Sequence, residues 1–164
     1  MSSTNSLLTK KILVIGGSGF LGSNIVNIFQ DFGFQNIVCG DIFKNPELKC
    51  SFKKIDLLSG NELTKDLSEF DLIINCTGQI TEPFNICFRL NSDGIDNLLE
   101  SINKKVRLIH ISTVAVYGSS KFCDEKSPLN PETNYAAAKA FAEKKIMRRC
   151  GEEQFTILRL SNLY

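Results

Sequence analysis

The chain has 164 residues, of which 43% are hydrophobic and 23% charged, enough for one domain with a buried core. That balance excludes disordered, collagen-like and low-complexity classes. Nineteen Lys and Arg against eighteen Asp and Glu leave a formal charge of +1, so no long-range field recruits nucleic acid or an anionic membrane surface.

Six cysteines include no CxxC pair, and His110 is the only histidine, so no metal site is expected. Met1 to Lys11 places polar residues first and lysines last, the reverse of a signal peptide. Glycines and polar residues interrupt the apolar run Ile12–Phe29, which argues against a membrane span. The expectation is a reduced, cytoplasmic protein.

Short β-branched runs alternate with stretches of helical period. The predicted strands are Lys11–Ile15, Asn36–Cys39, Phe52–Ile55, Asp71–Cys76, Arg107–Ser112 and Phe155–Leu160. Runs such as Ile12-Leu13-Val14-Ile15 are apolar on both faces, as strands covered from both sides are. The predicted helices are Phe20–Phe32, stopped by Gly33, then Phe84–Ile102 and the Ala-rich Tyr135–Arg149. Strand alternating with helix predicts an α/β fold: a doubly wound, mostly parallel sheet with helices on both faces. No repeat or linker divides the chain, so residues 1–164 read as one domain. Residues 118–134 lack a period and read as a functional loop. The basic run Lys144-Lys145 with Arg148-Arg149 reads as a solvated helix end complementing the dipole.

Gly16, Gly19 and Gly22 follow the first strand and open the first helix. Glycine there permits a tight turn, close approach of a pyrophosphate and close packing of helix on strand. The positive helix end, with free N–H groups, then faces the phosphates. Asp41 ends the second strand, where a carboxylate can accept from an adenosine ribose and would repel a 2′-phosphate. The cofactor expected is NAD, with NADP disfavoured. Asp56 is either a receiver for the adenine amino group or a cap for the following segment.

Tyr135 and Lys139 lie one turn apart on one helix face. A neighbouring ammonium and a positive nicotinamide ring would favour the phenolate of Tyr135, giving an acid/base near neutral pH. Ser112-Thr113 ends the fifth strand at the carboxyl edge, where a hydroxyl can hold a substrate oxygen. His110, midway along an apolar strand, reads as a packed core residue. A hydrolase triad is rejected because no nucleophile elbow surrounds Ser112.

Together these pieces resemble the extended short-chain dehydrogenase/reductase family, in its NAD-dependent nucleotide-sugar epimerase/dehydratase branch. The resemblance rests on Gly16–Gly22, Asp41, Ile55-Asp56-Leu57, Asp71–Gly78, Asn91–Glu100, Ser112–Gly118, Tyr135–Lys139 and Arg159–Tyr164. It implies a Rossmann-type domain in which Tyr135 is the catalytic acid/base and Thr113 matches the catalytic Ser/Thr position. Lys139 would hold the nicotinamide ribose and lower the Tyr135 pKa, with Asn91 near it. Gly16, Gly19, Phe20 and Leu21 would line the pyrophosphate, and Asp41, Asp56, Leu57, Thr77 and Gly78 the rest of the cofactor. The implied chemistry oxidises a nucleotide-sugar by hydride transfer through a keto intermediate. A homodimer through helices 84–102 and 135–149 is implied by the same analogy.

Three departures qualify the match. Asn75-Cys76-Thr77-Gly78 stands where the family usually carries His, an apolar residue and two alanines. Val114-Ala115 stands where sugar 4,6-dehydratases carry an acidic pair, which favours an epimerase or reductase. The sequence ends at Tyr164 inside a motif that normally leads into a C-terminal substrate-binding part. The expectation is therefore a fragment, or a chain completed by another, with Phe155–Leu160 near an open sheet edge. The competing reading is a non-catalytic NAD-binding and protein-interaction module of the same fold.

Overall fold

A computed structural model of the protein describes residues 6–59, 67–78 and 82–161. The strands are β1 (Lys11–Ile15), β2 (Asn36–Asp41), β3 (Ser51–Lys54), β4 (Leu72–Asn75), β5 (Arg107–Thr113) and β6 (Phe155–Leu160). The helices are α1 (Phe20–Asp31), α2 (Phe84–Asn91), α3 (Asp93–Glu100) and α4 (Asn134–Arg149), with a 3₁₀ turn at Val114–Tyr117. All strands pair in parallel, in the order β3-β2-β1-β4-β5-β6. This is the doubly wound, Rossmann-like sheet that the alternating pattern predicts.

The apolar runs explain the two layers. Leu13 and Ile15 of β1 pack with Ile73, Leu108 and the α3 and α4 residues Ile95, Leu98, Ala142 and Ile146. Their neighbours Ile12 and Val14 point to the other face and pack with Ile37, Cys39, Ile74 and Val26 of α1. Each face of β1 thus seeds its own core, the consequence of alternating side chains on a strand buried from both sides. The strand order reverses between β1 and β4, and the crevice of an open parallel sheet opens there, above the strand C-termini.

One predicted helix is two. Phe84–Ile102 breaks at Ser92, whose φ of −113° and ψ of −80° leave the helical region. The Ser92 hydroxyl donates to Asp93 Oδ1 at 3.1 Å, a local bond that competes with the helix ladder. After the break, α3 comes close enough to the loop after β3 that a Cβ on Gly94 would lie 3.2 Å from the Leu57 side chain. The basic helix end is solvated at Lys144, Arg148 and Arg149, and part of it also pairs with acids of α3. Lys145 bonds Asp96, and Arg149 reaches Asp96 at 3.3 Å and Glu100 at 3.5 Å, tying α4 to α3. Arg148 stays exposed. β6 is an edge strand, as its place near an open edge predicts. Asn162, Leu163 and Tyr164 of the last quoted motif, and Met1 to Asn5, lie outside the described residues.

Candidate active site

The glycine turn is built against β4. Gly16 has φ +75°, and a Cβ there would meet the Cys76 carbonyl carbon at 3.1 Å. Gly22 admits no side chain: a Cβ would lie 2.2 Å from Gly16 O, so the first turn of α1 can sit on the strand only as glycine. Gly19 differs, since the nearest atom to its Cβ would be Gly16 O at 3.3 Å, with open space beyond. Gly19 is also the N-cap and has no side chain to satisfy the first N–H groups of α1. Those donors and the positive helix end are left to an outside acceptor, which fits a pyrophosphate.

Asp41 holds this turn. Its Oδ2 accepts from Ser18 N at 3.0 Å and its Oδ1 from Ile42 N at 2.7 Å. The Ser18 hydroxyl donates to Phe43 O at 2.6 Å, joining the loop after β2 to the glycines. Both Asp41 oxygens keep a lone pair for a ribose hydroxyl. Asp56 accepts from Leu58 N at 2.8 Å, the local cap weighed against a cofactor role. The Leu57 side chain is buried in the core, and its carbonyl accepts from Asn97 Nδ2 at 2.8 Å. A ligand could meet Leu57 only through its backbone.

On the other side of the crevice, Lys139 is wholly buried and its Nζ donates to Thr77 O at 3.1 Å. Buried Asn91 donates to Gly78 O at 3.3 Å and Cys87 O at 2.9 Å. Gly78 lies so close to it that a Cβ would stand 2.6 Å from Asn91 Nδ2. Thr77, Gly78, Asn91 and Lys139 therefore form one cluster at the sheet edge that carries the glycine turn. Half-buried Tyr135 lies one turn before Lys139 on α4.

The electrostatics depart from the expected pairing. Burial pushes the Tyr135 phenol up to about 12, with the Cys87 thiol adding to the rise. Burial pushes the Lys139 amine down to about 7, against the opposing pull of Cys87, Cys76 and Glu143. The chain alone does not depress the phenol, because desolvation of its anion decides the shift.

Thr113 ends β5, and its Oγ1 accepts from Ala115 N at 3.2 Å, capping the 3₁₀ turn while its own O–H remains a donor. Ser112, beside it, is buried and donates to Glu143 Oε1 at 2.5 Å, so it is not a substrate hydroxyl. Sequence spacing does not reveal Glu143 and Arg159 as a pair. A signal for Glu143 alone was present in the four-residue spacing Tyr135, Lys139, Glu143, which puts all three on one stripe of α4. The loop over residues 118–133 is pinned by Asn130 N to Val116 O at 2.9 Å and by Ser119 Oγ to Glu132 at 2.6 Å.

Comparison with known proteins fits this geometry. The sequence matches the NAD dependent epimerase/dehydratase family over residues 12–164. The chain belongs to that family. It is 29% identical over 182 residues to UDP-glucose 4-epimerase 2 of Oryza sativa subsp. japonica, covering 93% of this chain and 44% of that protein. It is 27% identical over 203 residues to dTDP-D-glucose 4,6-dehydratase of Dictyostelium discoideum, covering 100% of this chain and 46% of the relative. The crystal structure of dTDP-glucose 4,6-dehydratase from Bacillus anthracis, in complex with NAD, superposes with a TM-score of 0.77 at 25% identity, covering 95% of this chain and 56% of that one. The chain spans about half the length of these family members. Among the described residues no helix is long and apolar enough to cross a membrane.

Proposed function

We propose that this chain is the NAD-binding domain, residues 1–164, of a sugar-nucleotide epimerase or reductase whose substrate-binding part lies outside it. One observation carries the reading: wholly buried Lys139, one turn from Tyr135, donates to Thr77 O at the sheet edge that also carries the glycine turn. A buried amine is costly, and a fold that needed only packing would place an apolar residue there. That cost argues for a ligand-facing role at this edge rather than for packing alone.

Bound NAD would supply the hydride acceptor and donor. Gly16, Gly19, Phe20 and Leu21 would seat its pyrophosphate at the start of α1. Asp41 would receive the adenosine ribose hydroxyls and repel a 2′-phosphate, favouring NAD over NADP. Asp56, the Leu57 backbone, Thr77 and Gly78 would line the remaining wall, and Asn91 would brace Gly78. Lys139 would hold the nicotinamide ribose. The Thr113 hydroxyl would hold the sugar oxygen while Tyr135 takes its proton. A phenol at about 12 is a poor base near neutrality, so this step requires the Tyr135 pKa to fall when the site fills.

A homodimer through α2 and α4 belongs to the same reading. Phe88 and Phe141 stack at 5.8 Å between ring centroids across the two helices, Phe84 joins at 6.0 Å, and each ring is more than a third exposed. An aromatic patch of this kind is the usual mark of an interface. The six thiols are free, which suits a reducing compartment such as the cytoplasm.

The test is conversion of UDP-, CDP- and dTDP-sugars, followed by sugar product and by transient reduction of bound NAD, in the chain expressed with whatever its gene encodes beyond Tyr164. The proposal expects turnover that Tyr135→Phe abolishes while NAD affinity stays within a few fold. Turnover unaffected by Tyr135→Phe would refute it.

A further inference from the structure

A line of hydrogen bonds, buried at His110 and half-buried at Thr77, runs from β5 to Lys139. Thr77 N–H and Oγ1–H both donate to Asn75 Oδ1, at 3.1 and 2.7 Å. Two donors on that oxygen orient the amide, so Asn75 Nδ2 faces His110 and donates to its Nδ1 at 3.2 Å. Nδ1 is then the acceptor, and the ring proton sits on Nε2. His110 Nε2 is the one buried side-chain polar atom without a hydrogen-bond partner among the described residues. At the other end, Thr77 O accepts Lys139 Nζ. His110, Asn75 and Lys139 are all wholly buried.

An unpartnered buried N–H works against folding, and an apolar ring would fill the same space without it. What the imidazole supplies is the acceptor at Nδ1. We propose that His110 and Asn75 are positioning residues for Lys139: they hold the Thr77 carbonyl where it accepts the amine, and so fix that amine beside Tyr135 at the cofactor edge. The inference rests on reading Lys139 as the group that holds the cofactor ribose.

Three groups bear on Lys139 through charge: Cys87 on α2, Cys76 at the end of β4 and Glu143 on α4, the last held by Arg159 of β6; the titratable Tyr135 lies one turn before it on α4 and His110 on β5. His110 is neutral, since burial and the nearby Lys139 hold its pKa well below the ordinary value. Replacing it changes no charge at neutral pH, so a change at Lys139 reports position rather than field.

The experiment follows the titration of the Lys139 side chain by carbon NMR, assigned through Lys139→Arg, in the wild-type chain, His110→Phe and His110→Gln, with NAD affinity measured alongside. His110→Phe fills the ring space but offers no acceptor, and His110→Gln restores one. With the fold verified by thermal melting, His110→Phe is expected to lower the Lys139 midpoint by about one pH unit, the scale of one hydrogen bond to a charged group. It should also weaken NAD binding, and His110→Gln should recover both. A folded His110→Phe that titrates as wild type overturns the proposal, as does a His110→Gln that moves as far as His110→Phe. If His110→Phe does not fold, Asn75→Ala cuts the same line, and an unchanged Lys139 titration there is equally decisive. Failure of wild-type protein to bind NAD would instead sink the cofactor reading, leaving the titration result intact.

Discussion

Arg159 on β6 and Glu143 on α4 close an ion pair whose carboxylate is fully buried and whose guanidinium is partly so. Arg159 Nε donates to both carboxylate oxygens, at 3.1 and 3.2 Å, and Nη2 donates to Oε2 at 2.8 Å. Glu143 is wholly buried and also takes the Ser112 hydroxyl, while Arg159 Nη1 reaches the Tyr117 hydroxyl at 2.5 Å. The pair ties the edge strand to the helix that carries Tyr135 and Lys139. Removing one partner strands the other's charge out of water, so Arg159→Met should cost about 3–5 kcal/mol. Glu143→Leu combined with Arg159→Met should cost much less than the two single changes summed. Chemical denaturation of the three variants measures both.

The glycine turn separates folding from binding. Gly22→Ala drives a methyl into Gly16 O and should lose about 1–3 kcal/mol of stability. Gly19→Ala meets only Gly16 O at 3.3 Å, so its melting temperature should barely move. Gly19→Val should keep the fold and weaken NAD binding, because the branched side chain enters the space left for the pyrophosphate. Melting curves and calorimetric titration distinguish these outcomes.

The patterns that point to alternating strands and helices, the glycine turn and Asp41 are local. Apolar runs and their spacing dictate which elements form, and Gly16–Gly22 needs only its own strand and helix. The break at Ser92 was hidden because helical period continues through it; what splits the helix is a side chain bonding locally and α3 closing on Leu57. The roles of Glu143 and Asn75 were equally hidden, since each depends on a partner distant in sequence, Arg159 or His110. Tyr135 and Lys139 were legible as a pair. The directions of their pKa shifts were not, because burial, which only the folded chain shows, is the largest cause of both.

Stability should rise with pH through neutrality. His110 is held neutral when folded but takes a proton below 6.5 when unfolded, so the unfolded state binds more protons in acid and stability falls as pH drops below that value. Lys139 is lowered to about 7 when folded against 10.5 unfolded, so the unfolded state again holds the extra proton between those values. Both slopes have the same sign. The Cys76 thiol, raised to about 12 from 9.0, opposes the Lys139 gain above pH 9 because the unfolded thiol ionises first, and the slope turns downward once unfolded Lys139 has titrated at 10.5. The melting temperature should therefore climb from mildly acidic to mildly alkaline buffer, and His110→Phe should flatten the acidic limb.

The patch on α2 and α4 predicts self-association. Phe141→Glu, at an exposed position in the Phe88–Phe141 stack, should shift the protein from dimer to monomer in sedimentation with little loss of fold. A sedimentation profile already monomeric in the wild type would remove the patch as a dimer interface.

The most direct measurement is an amide chemical-shift titration of the chain with NAD. Saturable shifts are expected at Gly16, Ser18 and Gly19, at Asp41, and at Thr77 and Gly78, with weaker response to NADP. Absent saturation, or shifts confined to the opposite edge of the sheet around Lys10 and Arg107, would contradict a dinucleotide seated between the glycine turn and Lys139.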